Sequence, residues 1–306
     1  MGVRGIVDAM NTHHQPVLLS EVLRYLAPRA GQVIVDGTFG QGGHASAIAE
    51  MIGDRGRLIG VEQDERTLKL VKTKMAAKNI MLKHGNFVDL PAILRDSGVR
   101  LVDGILLDLG ISSWQLSGMS HGLSWQSEAP LDMRLGDAPE SAKTLIKRLS
   151  EKELADMLYR LANERRSRII ARAIKERQNS LESTADLADI IEKTVGRHGR
   201  IHPATRTFMA LRILVNRELE NLERFMETTP SCLKPGGRLV IISFHSGEDR
   251  IVKHAFKDKE TWLILTKKPV VPTRQEIVAN RRSRSAKLRA AARISINPKL
   301  EVKNKS

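Results

Sequence analysis

The sequence predicts an open, doubly wound α/β sheet interrupted by an all-helical block, and three observations carry that prediction. Short β-branched runs ending on acidic residues alternate with helix-compatible segments from Gly31 to Ser113. The alternation stops near Trp114, and residues 144 to 224 carry only helical stripes. A strand of the first kind, Leu239 to Phe244, resumes after the turn at Pro235-Gly236-Gly237.

The elements follow in order. Residues 1 to 12 read as a loose arm, and Ser20 to Leu26 as a helix with Ser20 as its N-cap. The pair His13 and His14 has no partners at ligand spacing, so no metal is expected. Val33-Ile34-Val35 is the first strand and ends at Asp36. Gly37, Gly40, Gly42 and Gly43 then lead through His44 into a helix at Ala45 to Glu50. Strand, glycine loop and helix in that order present backbone N–H groups to a polar or anionic ligand. The loop also fits G-x-G-x-x-A, so a nicotinamide-dependent oxidoreductase is an alternative at this point.

A second strand ends at Glu62, about 20 residues past the loop, where an acid suits a ribose diol. Arg66 to Lys78 reads as a helix and Ile80 to His84 as a third strand. Phe87 follows it as a candidate lid on an aromatic base, with a core position as its alternative. Val102 to Asp108 is apolar enough to be buried on both faces. Its terminal Asp108 is expected in the same crevice as Asp36, because the tips of strands one and four flank the switch point of such a sheet. Ser112 and Gln115 lie just beyond.

The helical block carries apolar stripes at Leu154-Met157-Leu158-Leu161, Ile169-Ile170-Ala173-Ile174 and Leu187-Ile190-Ile191, with a longer one from Phe208 to Leu222. It is assigned to residues 116 to 214, inserted between the two parts of the sheet domain, 13 to 115 and 215 to 306. His245 follows the resumed strand, a helix spans Asp249 to Phe256, and Thr261 to Leu265 is the last expected strand. Residues 281 to 293 read as a basic tail, with Arg282, Arg284 and Arg289 as phosphate contacts.

Composition narrows the class. Fifty Lys and Arg against 35 Asp and Glu give +15, which favours a polyanionic partner, nucleic acid first. One cysteine, Cys232, excludes an internal disulfide framework and points to a reducing compartment. No apolar run reaches the roughly 18 residues of a membrane span. A cytoplasmic protein with no membrane partner is expected. The residues do not fix the oligomeric state, and a homodimer stays open.

A glycine loop, acids after strands two and four, and a Pro-Gly-Gly turn before strand five suit S-adenosyl-L-methionine better than a nicotinamide. That donor has no pyrophosphate, and its cationic sulfonium favours nearby carboxylates such as Asp36 and Asp108. The stretches VDGTFGQGGHA, GILLDLGISSWQL, APLDMRL, HPATRTFMALRILVNREL, LKPGGRLVIISFHSGEDRIVK and NRRSRSAKLR together resemble the RsmH (MraW) family of 16S rRNA cytosine-N4 methyltransferases. The resemblance runs from about His13 to Arg293. It implies a class I methyltransferase fold with a helical insert, S-adenosyl-L-methionine as donor, and a decoding-centre cytidine of small-subunit rRNA, free or in the 30S subunit, as substrate. By motif it places cofactor contacts on Gly42, Gly43, His44, Glu62, Phe87, Asp108 and Gln115. Glu62, Trp114, Gly247 and Arg281 depart from the family pattern, which has Asp, Pro, Leu and Pro there.

The cytosine amine is a weak nucleophile because its lone pair is delocalised into the ring. Asp108, or a backbone carbonyl between Asp108 and Ser112, is the expected acceptor for its N–H groups, and cofactor binding alone is the other role open to Asp108. His245 is a candidate base contact or proton relay. The chain lacks the Asp-Pro-Pro-Tyr of many amino methyltransferases, so Trp114, Trp125 and Phe244 are the candidate stacking residues. Arg206, and the run from Arg165 to Arg177, are candidate RNA contacts. A non-catalytic rRNA-binding assembly factor is the remaining alternative.

Overall fold

The computed structural model describes residues 16–74, 79–111, 122–126, 128–197, 199 and 201–294. They form two compact units, one of residues 1–62, 68–109 and 226–306, the other of residues 63–67 and 110–225.

The first unit holds a seven-stranded sheet in the order β3-β2-β1-β4-β5-β7-β6. Its strands are β1 (Val33–Asp36), β2 (Arg57–Glu62), β3 (Ile80–His84), β4 (Val102–Asp108), β5 (Leu233–Ser243), β6 (Trp262–Ile264) and β7 (Lys287–Arg293). The strands from β3 to β5 run parallel, while β7 runs antiparallel to both β5 and β6. Ile34 and Val35 of β1, and Ile105, Leu106 and Leu107 of β4, have no measurable exposure. They are buried because helices cover both faces, as parallel sheets require. The first of these is α1 (Leu19–Leu26), followed by α2 (Gly43–Ile52), α3 (Glu65–Lys74) and α4 (Leu90–Asp96). Order reverses between β1 and β4, so the crevice at their carboxyl ends is the switch point.

Several boundaries differ from the sequence reading. Ser20 is not the N-cap of α1; Leu18 occupies that position with φ 52° and no side-chain cap, and the Ser20 hydroxyl donates to Glu21 instead. β5 begins at Leu233, six residues earlier than expected, and absorbs the Pro-Gly-Gly turn as a register shift against β4 between Val102 and Gly104. The largest correction is β7. Residues 287 to 293 are a nearly buried strand between β5 and β6, where the sequence suggested part of a phosphate-contacting basic tail.

The second unit is helical: α5 (Ala142–Arg148), α6 (Glu151–Ala162), α7 (Ser167–Glu176), α8 (Thr184–Val195), α9 (Ala204–Val215) and most of α10 (Glu218–Thr228). Its bounds at 110 and 225 lie outside the expected 116 and 214. Ser150 and Ser183 close capping boxes with Glu153 and Asp186, which fixes the starts of α6 and α8. Leu154, Leu158, Ile170, Ile174, Leu187, Ile191, Phe208 and Leu211 fill one core, so the stripes read from sequence are packing surfaces. α11 (Ser246–Ala255) and α12 (Arg274–Ala279) return to the sheet unit.

Candidate active site

The site is built from the carboxyl ends of β1, β2 and β4. Asp36 ends β1 and is 2% exposed. Its Oδ1 accepts the Thr38 N–H at 3.2 Å, and the Thr38 hydroxyl accepts the Asp108 N–H at 2.6 Å. One short turn therefore ties the tip of β1 to the tip of β4. Thr38 was not singled out from sequence; the signal was an Asp two residues before a hydroxyl residue, the pattern of a side chain that closes its own turn.

The glycines follow. A Cβ on Gly37 would lie 2.4 Å from Leu107 Cδ2 and 3.3 Å from the Phe87 Cβ, so only glycine lets the loop lie against β4 and beside Phe87. Gly42 takes φ 79° as the N-cap of α2 and offers no side chain there, leaving the first N–H groups of the helix to a ligand. Gly40 donates its N–H to Glu62 Oε2 at 2.9 Å. Glu62 is 6% exposed at the end of β2, so the loop and the acid expected to hold a ribose are hydrogen-bonded to each other. Phe87 opens a short 3-10 turn after β3 and is half-buried.

His44 lies in the first turn of α2 and is buried. Its Nε2 is 2.9 Å from the Val17 carbonyl, which can only accept, so Nε2 carries a proton. Nδ1 lies 3.6 Å from Asp108 Oδ2. Burial lowers the His44 pKa, and the charge of Asp36 opposes this without overcoming it. Burial raises Asp36 to about 6 against the partial opposition of His44 and the Thr38 N–H. Asp108 is pushed up to about 7, by burial first and then by the charge of Glu248. Asp108 keeps 26% of its side chain exposed, yet Oδ1 is buried without a hydrogen-bond partner among the described residues. A carboxyl so placed resists ionisation, and a cation beside it would relieve that cost. Two high-pKa carboxyls, a cramped glycine loop and a buried acid at the second strand fit the sulfonium, methionine end and ribose of S-adenosylmethionine.

At the tip of β5 the structure gives His245 a capping contact that the sequence did not suggest. It is the N-cap of α11: Nδ1 accepts the N–H groups of Gly247 and Glu248 at 3.2 and 3.5 Å, while the Glu248 carboxylate accepts those of Phe244 and His245 at 2.7 and 3.1 Å. Nε2 is 3.2 Å from Glu248 Oε1 but is not aligned for a hydrogen bond. With Nδ1 committed as an acceptor, His245 holds the helix start in place, which is a different task from relaying a proton. Glu248 was missed; the spacing His245-x-x-Glu248 was the signal of a capping box.

The remaining candidates are dispersed. Trp125 already stacks on His202, with centroids 3.8 Å apart and planes at 9°, inside the helical unit. Phe244 packs against the core of the sheet unit. Arg206 is exposed on α9, and Arg282 and Arg284 are exposed on the turn before β7. Arg289 is not part of a free tail. It is 8% exposed on β7, with Nε 2.6 Å from Asp249 Oδ1, so its charge is spent inside the protein. Ser112, Trp114 and Gln115, like His13 and His14, lie outside the described residues.

The strand order with its antiparallel β7, and the site at the switch point, define an S-adenosylmethionine-dependent methyltransferase of class I fold. A model of the MraW methylase family matches residues 11–294, and the chain belongs to that family. It is 47% identical over 288 residues to the ribosomal RNA small subunit methyltransferase H of Sorangium cellulosum, covering 92% of this chain and 91% of that one. The enzyme of the same name from Coprothermobacter proteolyticus is 46% identical over 286 residues, covering 90% and 94%. Among solved structures, an rRNA methylase from Streptococcus thermophilus aligns over 94% of this chain and 100% of that one, at 10% identity and a TM-score of 0.44. Family membership sets aside the nicotinamide alternative.

Proposed function

We propose that this S-adenosylmethionine-dependent methyltransferase of small-subunit rRNA places the methyl on the N4 amine of a cytidine in the decoding centre. The relatives named for small-subunit rRNA methylation, matched over nine-tenths of the chain, support the substrate class. The observation that carries the chemistry is Asp108, whose carboxyl sits beside the glycine loop with Oδ1 buried and without a hydrogen-bond partner among the described residues.

The donor supplies an electrophilic methyl and departs as a neutral thioether. Asp108 accepts a hydrogen bond from the amine, localises the nitrogen lone pair and takes the surplus proton. The backbone of Gly40 to His44 and the Glu62 carboxylate hold the donor, and Phe87 borders the glycine loop. Cytosine reaches the crevice only after leaving its stack, which costs a few kcal/mol and is repaid by contacts to flanking nucleotides. Arg206, Arg282 and Arg284 are the exposed cations assigned to those phosphates.

The test is small-subunit rRNA from cells with and without the gene, digested and analysed by mass spectrometry, with the wild-type gene or Asp108→Asn supplied on a plasmid. One N4-methylcytidine should vanish with the gene and return with wild type. Asp108→Asn should restore less than about 1% of the rate in vitro, because a general base contributes 100-fold or more. A methyl group found on another base, or on carbon, would overturn the assignment.

A further inference from the structure

His44 enters the reading above only through its place in the glycine loop. Its side chain has a second feature. The Val17 carbonyl fixes one tautomer, with hydrogen on Nε2 and a lone pair on Nδ1. That lone pair faces Asp108 Oδ2 across 3.6 Å, a gap too narrow for another heavy atom. Two acceptors that face each other in a buried site repel, unless a proton lies between them.

The surroundings favour that proton. Asp36 of β1 and Glu276 of α12 act on His44, and Glu248 of α11 acts on Asp108, together with Asp36. All are acids, and none supplies a competing cation. The Val17 carbonyl is itself held: the neighbouring Leu18 donates its N–H to Glu276 Oε1 at 2.8 Å. Leu18 is 1% exposed in a left-handed conformation that a leucine rarely adopts. A strained, buried residue persists only where its surroundings over-determine it. The strap at Val17 and Leu18 therefore sets the orientation of the imidazole.

We propose that His44 is a positioning residue for methyl transfer, acting through Asp108: its Nδ1 receives the hydrogen bond of the proton that Asp108 takes from the target amine. The inference rests on Asp108 being the acceptor in the proposed function. In the step, an N–H bond of the amine breaks with its electron pair left on nitrogen. An O–H bond forms at Oδ2 of the Asp108 carboxyl, the oxygen 3.6 Å from Nδ1, and rotation about that C–O bond brings the new proton against Nδ1. The imidazole stays neutral, and Asp108 later returns the proton to water. Without that acceptor, protonated Asp108 is less stable and the carboxylate is a weaker base.

Two variants separate this role from a packing role. His44→Gln can still reach the Val17 carbonyl with its amide but has no lone pair at the Nδ1 position. His44→Asn keeps a polar group near the Nδ1 position and loses the link to Val17. In His44→Gln, S-adenosylhomocysteine affinity should stay within about threefold, while kcat falls roughly tenfold, the loss of one hydrogen bond to a titrating group. The acidic limb of the kcat–pH profile should move down by about one pH unit. His44→Asn should keep the wild-type limb and lose thermal stability instead. An unmoved limb with unchanged kcat in His44→Gln overturns the proposal.

A second measurement needs neither donor nor turnover. Imidazole nitrogen NMR of the free protein should show the Nε2–H tautomer, with an Nδ1 shift that follows Asp108 through its titration and is flat in Asp108→Asn. A flat response in the wild type also overturns the proposal. If Asp108→Asn keeps full kcat while the NMR coupling is present, the failure belongs to the acceptor role of Asp108 and not to its contact with His44.

Discussion

At the scale of single residues, the site is built at a cost to the fold. Asp36 is almost fully buried and its carboxyl is raised from 3.8 to about 6. A carboxyl with a raised folded pKa contributes stability that is complete below the unfolded pKa, near 4, and is lost as pH rises through about 6. Above that range the folded protein carries a buried charge worth on the order of 2 to 3 kcal/mol of destabilisation. Asn at this position would still accept the Thr38 N–H and would not ionise. Asp36→Asn should therefore melt higher than wild type at pH 8 and equal it near pH 4, with midpoints followed by circular dichroism across that range. The same variant should bind the cationic donor more weakly at pH 8, by about tenfold or more in calorimetric titration, because the carboxylate that destabilises the fold is the one that favours a sulfonium. A variant that melts lower at pH 8 would mean that the ionised group is needed for the fold.

Elements explain why some of the molecule was legible in the sequence and some was not. β1, β2 and β4 announce themselves as apolar β-branched runs ending at Asp36, Glu62 and Asp108, and the structure brings those three tips together with the glycine loop. Local pattern sufficed there because each tip carries its own acid in sequence, and a doubly wound sheet sets the tips of strands one and four side by side at the switch point. β7 fails the same reading. Lys287-Leu288-Arg289-Ala290-Ala291-Ala292-Arg293 has strong helix formers, no β-branched residue and three cations, and becomes a strand only because β5 and β6 flank it in the sheet. Its Arg289 looked like a phosphate contact because the partner acid is 40 residues away in sequence. Burial pushes Asp249 up, but Arg289 and then Lys287 outweigh it and hold its carboxyl below the usual range. Arg289→Ala would leave that carboxylate with Lys287 alone, at 3.4 Å, so it should cost about 1 to 3 kcal/mol in denaturant unfolding while leaving the salt dependence of rRNA binding unchanged. The capping task of His245 was not legible for a related reason: a histidine at a strand tip suggests chemistry, but its Nδ1 caps α11. A change in salt dependence for Arg289→Ala, with stability intact, would return that arginine to the RNA surface.

For the whole molecule the question is how much of the +15 charge is available to RNA. The run from Arg165 to Arg177 looks like a phosphate grip in sequence, yet the helical unit engages much of it internally. Arg168 pairs with Asp156 at 2.7 Å and Arg172 with Glu151 at 3.5 Å, while Lys175 donates to the Ile146 carbonyl at 2.9 Å and Arg166 to that of Val195. Arg282 and Arg284 are exposed, with no acid bridged to either among the described residues. Counterion release counts cations that neutralise phosphates, at roughly 0.7 to 0.9 in the slope of log K against log salt for each. The pair Arg282→Ala and Arg284→Ala should therefore flatten that slope by about 1.4 to 1.8. The pair Arg168→Ala and Arg172→Ala removes the same net charge, so the long-range field falls equally, but the slope should move by less than about half as much. Because the two double variants are matched in charge, a difference between them isolates contact from attraction at a distance. Binding to a small-subunit rRNA fragment across 50 to 300 mM potassium chloride reads both slopes. Equal flattening in the two would mean that the ion pairs of the helical unit open on binding, and that its basic run grips the phosphates after all.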